Sequence, residues 1–360
     1  MQFVADTLPI SAINRSIDIS TMVPEILTGR WHVKAVWYEA TGSANKVLRL
    51  GETPAPQLGS GEVGVRIHAS GINPSDTKRR DGWNGLPMLH PRIIPHSDGA
   101  GIIEAIGEGV DQSRIGERVW LWNAQGTDRP FGTAAEYTTI PDEQAVKLPN
   151  GVDFSTGAGL GVPGCTAHYA VFGNGPVGGQ RLLVQGGAGA VGYLAVQLAT
   201  LGGAHVIATV SGKAKMEMAL AAGAHEAINY REEDVVDRID SLTKGEGVDR
   251  VIEVDLAANL QTDVAVLRPN GSIASYSSTS DPSPRIDYYP LAFKDLKVHF
   301  VQGYLLPAIS RRSALNELTT WLGAGQLDVK IGARYGLDET VLAHEMLESG
   351  DTLGQIVIEL

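Results

Sequence analysis

From residue 34 onward, apolar and polar side chains alternate in short runs. The clearest is 62–69, Glu62-Val-Gly-Val-Arg-Ile-His-Ala69, whose alternation is that of a half-buried strand. Residues 34–38, 46–50, 100–106, 117–122 and 134–139 read as further strands. Turn residues separate them, and Thr53-Pro-Ala-Pro56 is a breaker. Short strands with frequent turns predict a mainly β, barrel-like domain.

Past Pro149 the rhythm changes to strand and helix. The apolar run 182–184 gives way to glycines, and 193–201 carries apolar residues at helical spacing. Strands are predicted at 204–210, 226–230, 248–253, 272–275 and 296–301, with helices at 213–222 and 232–243 between the earlier ones. Such alternation implies a parallel sheet with helices on both faces. Helices at 311–322 and 339–349 follow. The closing strand, 356–360, is expected to return to the first domain. Residues 1–32 do not fit this texture. They lack a basic start followed by a long apolar core, so they are not a secretory signal. Arg15 and Arg30 are their only basic residues, and Asp6, Asp18 and Glu25 argue against a transit peptide. They are expected to form a dispensable extension or surface arm.

The turn between strand 182–184 and its helix reads Gly187-x-Gly189-x-x-Gly192. In that context the glycines are the fingerprint of dinucleotide binding. They permit a tight turn, a close approach of backbone to a pyrophosphate, and close packing of helix on strand. The open N–H groups at the helix start suit the phosphate charge. The alternative is a glycine turn with no ligand. An NAD-binding unit needs an acid about 20 residues past the glycines to hold the ribose, yet no Asp or Glu occurs from Val184 to Met216. Ser211, Lys213 and Lys215 stand there instead. A hydroxyl and ammonium groups suit a 2′-phosphate, hence NADPH rather than NADH; the alternative is solvated lysines opening a helix.

Composition narrows the function classes. With 360 residues the chain holds two domains of ordinary size, and 43% hydrophobic with 19% charged residues describes a soluble globular protein. A net charge of −12 argues against nucleic-acid or anionic-membrane partners. One cysteine, Cys165, excludes an internal disulfide and any multi-cysteine metal site, and fits a reducing, cytoplasmic setting. No apolar run reaches the roughly 18 residues of a spanning helix.

Several motifs now combine: Gly71-Ile-Asn-Pro-Ser-Asp76, Pro95-His-Ser-Asp-Gly-Ala-Gly101, Val162-Pro-Gly-Cys-Thr-Ala167, the glycine loop, Asn229-Tyr-Arg-Glu-Glu233, and Asn259 after Ile252-Glu-Val. Through them the chain, from about Lys34 to Leu360, resembles the medium-chain dehydrogenase/reductase superfamily. Within it, the likeness is to the zinc-free quinone oxidoreductases of the zeta-crystallin-like branch. The resemblance implies an α/β fold: a Rossmann doubly wound parallel sheet plus a GroES-like, mainly-β catalytic domain. The extension would be 1–32, the catalytic domain 33–157 and 305–360, and the dinucleotide-binding domain 158–304. It further implies a cytoplasmic homodimer that transfers a hydride from NADPH to a small quinone or activated α,β-unsaturated carbonyl without zinc. An enoyl thioester reductase, or a non-catalytic NADPH-binding or redox-sensing protein, are the rival readings.

The resemblance also assigns residues. Asn73 would lie beside nicotinamide and substrate, and Thr166 would contact the cofactor. Gly187, Gly189, Ala190, Val191 and Gly192 form the phosphate loop. Ser211, Lys215 and Tyr230 would surround the 2′-phosphate, and Asn259, Ser277 and Ser278 would lie towards the ribose and nicotinamide. Family members carry a tyrosine facing the substrate where this chain has Lys78, followed by Arg79 and Arg80. Lys78 either donates to the substrate carbonyl in its place or belongs to a solvated basic loop. Gln355 stands where relatives often have lysine.

Read on their own, the residues leave choices open. Asn73 offers donors and an acceptor, or shapes a turn before Pro74. Asp98 can cap a backbone turn, Thr166 can cap the helix it begins, and Tyr230 can simply pack. Aligning Gly99-Ala-Gly101 with the glycines of zinc-dependent relatives puts Ser97 and Asn73 in the positions of their ligand histidine and cysteine. The usual zinc set is therefore missing, and His96 is expected to be a loop or cleft residue. Cys165 is expected to be a packed helix residue.

Overall fold

The computed structural model describes residues 31–126 and 128–360. The arm expected at the start of the chain lies, up to residue 30, outside the described residues. Trp31 already packs edge-on against Tyr137, ring centroids 4.9 Å apart, and His32 opens the first strand.

That strand, β1 (His32–Trp37), pairs antiparallel with β2 (Arg49–Pro54). The stretch 46–50 is thus not one strand. Ala44–Val47 forms a helical turn, and β2 runs into the prolines that the sequence marks as a breaker. A two-stranded ribbon tolerates Pro54 because an edge needs no further N–H donor.

The larger β unit contains β3 (Glu62–Ile72), β4 (Asp98–Ile106), β5 (Arg118–Leu121), β6 (Tyr137–Pro141) and β7 (Ala145–Lys147). On β3 the alternating Val63, Val65 and Ile67 enter one buried cluster with Ile103, Val119, Leu121 and Ile140. The strand expected from residue 134 begins only at Tyr137. Ala134 is drawn to β1 instead, accepting from Val36 N at 2.8 Å.

The second sheet is parallel throughout: β8 (Arg181–Val184), β9 (His205–Val210), β10 (Glu226–Asn229), β11 (Val248–Glu253), β12 (Leu267–Ser275) and β13 (Lys297–Phe300), in the spatial order β10-β9-β8-β11-β12-β13. Both faces are covered. Leu182, Val184, Val206 and Ala208 pack with Leu194, Ala195 and Leu198 of the helix Ala190–Leu201 and with Cys165, Ala167 and Ala170 of the helix Gly161–Phe172. Leu183, Ile207, Val251 and Ile273 point the other way, onto Leu256, Leu260 and Val264 of the helix Leu256–Val266 and onto Ile239 of the helix Val235–Thr243. This is the doubly wound arrangement, and its strand order reverses between β8 and β11, where ligands bind in such sheets. The helix expected from 232 starts later because Asp234 caps it, accepting from Asp237 N at 3.0 Å.

After the helix Ala308–Gly323, the chain adds β14 (Ile331–Gly336) and β15 (Gln355–Glu359), with the helix Thr340–Ser349 between them. β15 pairs antiparallel with β3, Ile358 opposite Ser70, so the closing strand does return to the first sheet. β14, parallel to β15, has no counterpart in the sequence expectations. Among the described residues, no helix is long and apolar enough to cross a membrane.

Candidate active site

The C-terminal ends of the parallel strands converge on the glycine loop. Gly187 N donates to Thr209 O on the neighbouring strand, and Gly186 N to Thr209 Oγ1. A Cβ on Gly192 would lie 2.1 Å from Gly186 O, and one on Gly187 would lie 2.7 Å from the Ala208 Cβ. Both positions are closed to any side chain. Gly189 meets only an ordinary contact, 3.4 Å from Gly186 O, and it is the residue from which the helix Ala190–Leu201 starts. The first-turn N–H groups of Ala190, Val191 and Gly192 have no intrahelical acceptor and present the positive end of the helix. This cradle fits a pyrophosphate.

Ser211, Lys215 and Tyr230 stand at or just past the ends of β9, next to β8 in the sheet, and of β10 beyond it. Ser211 follows the last residue of β9, and Lys215 lies in the first turn of the helix Lys213–Ala221. Tyr230 N donates to Val210 O at 3.1 Å, which brings its ring, half exposed, to the same strand end. No carboxylate of the chain stretch 184–216 can oppose a phosphate there. On the other side of the reversal, Asn259 Nδ2 donates to Glu253 Oε1 at 3.0 Å, which leaves that amide its oxygen. Ser277 O accepts from Leu256 N at 3.1 Å, and Ser278 Oγ from Ala257 N at 3.3 Å. Ser277 and Ser278 thus close the start of the helix that carries Asn259.

Asn73 follows the last residue of β3 and stands at the N-terminal cap of the helix Pro74–Asp81. Proline in its first turn, the Asp76 carboxylate accepting from Asn73 N at 2.8 Å, and Gly82 at φ 92° past its end define that helix. Asn73 Nδ2 donates to Asp98 Oδ2 at 2.7 Å. The Asp98 carboxylate also accepts from Val162 N at 2.9 Å. Asp98 therefore caps the helix Gly161–Phe172 from a neighbouring strand rather than capping a turn of its own. Burial pushes its carboxyl well above the usual range, against the lowering pull of the Asn73 bond. Thr166 sits within this same helix, buried, not at its start, so the capping alternative falls. Cys165 beside it is fully buried, and burial raises its thiol pKa well above the ordinary value.

Lys78, on the helix Pro74–Asp81, is half-buried. Its Nζ donates to Thr279 Oγ1 at 2.9 Å and lies 5.9 Å from the Trp83 ring centroid. The first β unit thereby touches the loop that follows β12. Burial lowers the Lys78 pKa, with the Asp255 charge pulling it back up. Arg80 diverges from its neighbours: it is fully buried and paired with Glu348. The three basic residues do not form one solvated loop.

His96 lies in the loop that leads into β4, as one of the two expectations had it, but it is closed off from the cleft. It is fully buried at φ 77°, its Nδ1 2.8 Å from Ser70 Oγ and its Nε2 2.9 Å from His344 Nε2. Burial drives both imidazoles down, that of His344 to about 3, so the pair is neutral. Both His96 nitrogens are thus used, and the positions that hold the ligand cysteine and histidine in zinc-dependent relatives carry the Asn73 amide and the Ser97 hydroxyl. This set does not fit a zinc ion. Among the described residues no cluster of three or more His, Cys, Asp or Glu side chains is placed to hold a metal.

Residues that the motifs did not reveal complete the cleft. A cavity of about 490 Å³ opens beside the helix Pro74–Asp81, lined by Trp83, Leu86, Met88, Leu89 and Ile93, and by Gln302, Tyr304 and Leu305 from beyond β13. Tyr304 Oη meets Ser75 Oγ, and the Arg79 guanidinium stacks 4.5 Å from the Tyr304 ring centroid. Gln355, where relatives carry lysine, is buried at the start of β15.

Comparison with known proteins gives two family matches: an alcohol dehydrogenase GroES-like domain over residues 59–150 and a zinc-binding dehydrogenase domain over residues 190–321. The quinone oxidoreductase of Rattus norvegicus is 31% identical over 310 residues, covering 85% of this chain and 91% of that protein. A 2-haloacrylate reductase of a Burkholderia species is 31% identical over 336 residues, covering 90% and 98%. Among solved structures, Escherichia coli quinone oxidoreductase complexed with NADPH superposes with a TM-score of 0.81 at 28% identity, covering 91% of this chain and all of that one.

Proposed function

Because the chain belongs to the medium-chain dehydrogenase/reductase superfamily, in its quinone oxidoreductase branch, we propose that it transfers a hydride from NADPH to a quinone or activated enone. The observation that carries this reading is the pairing of a phosphate cradle at Gly187–Gly192 with a largely apolar cavity near Lys78, with no zinc-ligand set among the described residues. NADPH, when bound, supplies the hydride; the protein supplies position and electrostatics. The open N–H groups of Ala190, Val191 and Gly192 hold the pyrophosphate. Ser211 and Lys215 hold the 2′-phosphate, and Tyr230 lies against the adenine side. Thr166, Asn259, Ser277 and Ser278 border the ribose and nicotinamide end.

Asn73 and Lys78 divide the remaining work. Asn73 gives one Nδ2 hydrogen to Asp98 and keeps a second N–H and its oxygen, with which it orients the acceptor and stabilises the acceptor's oxygen. Lys78 is the second donor: its ammonium, bonded to Thr279, can stabilise or protonate that oxygen. A quinone or enone needs only this help, because its π-system spreads the incoming charge.

In this reading 33–157 and 305–360 form the catalytic unit and 158–304 the cofactor unit, in a cytoplasmic homodimer. The pairing of β15 with β3 supports the split. β13 is an edge strand, and Tyr288, Tyr289, Phe293 and Phe300 are exposed around it, which suits pairing of two parallel sheets edge to edge. The lone buried Cys165 suits a reducing compartment. The test is oxidation of NADPH by the purified protein with naphthoquinones, enones and simple alcohols as a panel. Turnover of quinones or enones, insensitive to chelators, is expected; alcohol oxidation dependent on stoichiometric zinc would overturn the reading.

A further inference from the structure

Arg79 brings a guanidinium to a largely apolar cavity whose other polar side chains are Tyr38, His90, Gln125, Gln302 and Tyr304. The walls include Trp83, Leu86, Met88 and Leu305, and no carboxylate lines them. Its Nη1 is fully used: it donates to Gln125 Oε1 at 2.8 Å, to Gln125 O at 3.0 Å and to Ser97 Oγ at 3.2 Å. One face of the guanidinium lies on Tyr304. These contacts are all with neutral groups. The buried Asp76 is close enough for the Arg79 charge to oppose the rise that burial gives its carboxyl, but its oxygens bond Asn73 N and the Ser97 hydroxyl rather than the guanidinium. Among the described residues Nε and Nη2 meet no hydrogen-bond partner, and neither is a sealed, unpaired polar atom. Together they form the side of the guanidinium that grips a carboxylate through two parallel bonds.

A guanidinium kept half out of water with no ion pair of its own among the described residues costs stability. The surrounding hydrogen bonds fix this one in a single orientation. We propose that Arg79 is a specificity residue that recognises a carboxylate on the hydride acceptor, so that the preferred substrate is a flat apolar acceptor with an anionic head. This inference rests on the reductase reading given above. The carboxylate takes no part in the chemistry: NADPH and a proton convert the acceptor to its reduced form, NADP+ is released, and the acid group leaves unchanged.

The experiment compares a naphthoquinone carrying a short carboxylate side chain with its methyl ester, which keeps the size and removes the charge. The wild type should favour the acid over the ester in kcat/KM by about tenfold or more, mainly through KM, the scale of one charge-assisted pair. Arg79→Gln should bring that ratio to about one, and Arg79→Lys, which keeps the charge but loses the fork, should fall between them. A wild-type ratio of one, or a ratio that survives Arg79→Gln, overturns the inference. Calorimetric titration of the NADP+-loaded protein with a redox-inert naphthalene carboxylate separates the two levels of argument. Binding that is lost in Arg79→Gln supports the inference even if no quinone is reduced, in which case only the reductase reading fails. Absence of binding to the wild type counts against Arg79 itself.

Discussion

Lys78 and Thr279 are joined by a hydrogen bond of 2.9 Å that spans the cleft between the two sheets. The ammonium is held by a hydroxyl rather than a carboxylate, so it keeps its charge available to a ligand. If it serves the acceptor's oxygen, Lys78→Met should lower turnover roughly a hundredfold, the usual cost of removing one such donor. The sign of the pH effect follows from burial, which lowers the Lys78 pKa. The cation is present below that lowered pKa and lost above it. The rate should therefore fall on the alkaline side at a lower pH than for an exposed lysine, and the limb should vanish in Lys78→Met. A pH profile of kcat for both proteins checks this.

Asn73 and Asp98 give a prediction about stability. Truncating Asn73 to alanine removes a donor from a buried carboxyl and should cost about 1–3 kcal/mol in denaturant unfolding. Asp98 itself is raised well above its ordinary pKa by burial. Its charged form is thus disfavoured in the fold. This site is neutral in its effect below the unfolded pKa of about 4, and it lowers stability progressively as pH rises through the folded pKa. Asp98→Asn should remove that slope, and melting curves of both proteins across this window would show it.

Cofactor choice rests on Ser211 and Lys215. Lys215→Ala should reduce the ratio of NADPH to NADH affinity by roughly ten- to a hundredfold, the range for one charge-assisted phosphate contact. Titration of cofactor fluorescence measures both affinities. A wild type that binds the two equally would remove the basis of this assignment.

Gly192 is closed to a side chain by the Gly186 carbonyl, 2.1 Å from where a Cβ would stand. Gly192→Ala must therefore push the helix away from its strand. Loss of NADPH binding and a lower Tm are expected together, whereas Gly189→Ala, with a contact of 3.4 Å, should weaken cofactor binding with less effect on Tm.

The sequence made the parallel sheet legible because its strands are buried on both faces and separated by periodic helices; β8 to β13 fall where the apolar runs are. The β unit was read less well at its edges. There, pairing partners distant in the chain decide the strand limits, as Ala134 shows by bonding to β1. The phosphate loop has a local signature, so Gly187 to Gly192 could be found by pattern alone. Arg79, Trp83 and Tyr304 have none: they meet only through tertiary packing of a helix against a segment more than two hundred positions away. The burial of His96 was hidden for the same reason, since its partner, His344, belongs to the far end of the chain.

The pairing of β15 with β3 also sets an order of events at the ribosome. Every strand of the parallel sheet, β8 to β13, emerges before β15 does. The cofactor unit can therefore assemble while synthesis continues, because its strands are contiguous in the chain. The sheet begun by β3 has to wait with Ile72 and Gly71 unpaired on one side until the segment carrying Ile356 and Val357 has been released. Until then that edge is open to wrong partners. The nascent protein is thus most vulnerable to aggregation in its earliest-made half, and it is relieved of that hazard only by one of its latest-made strands.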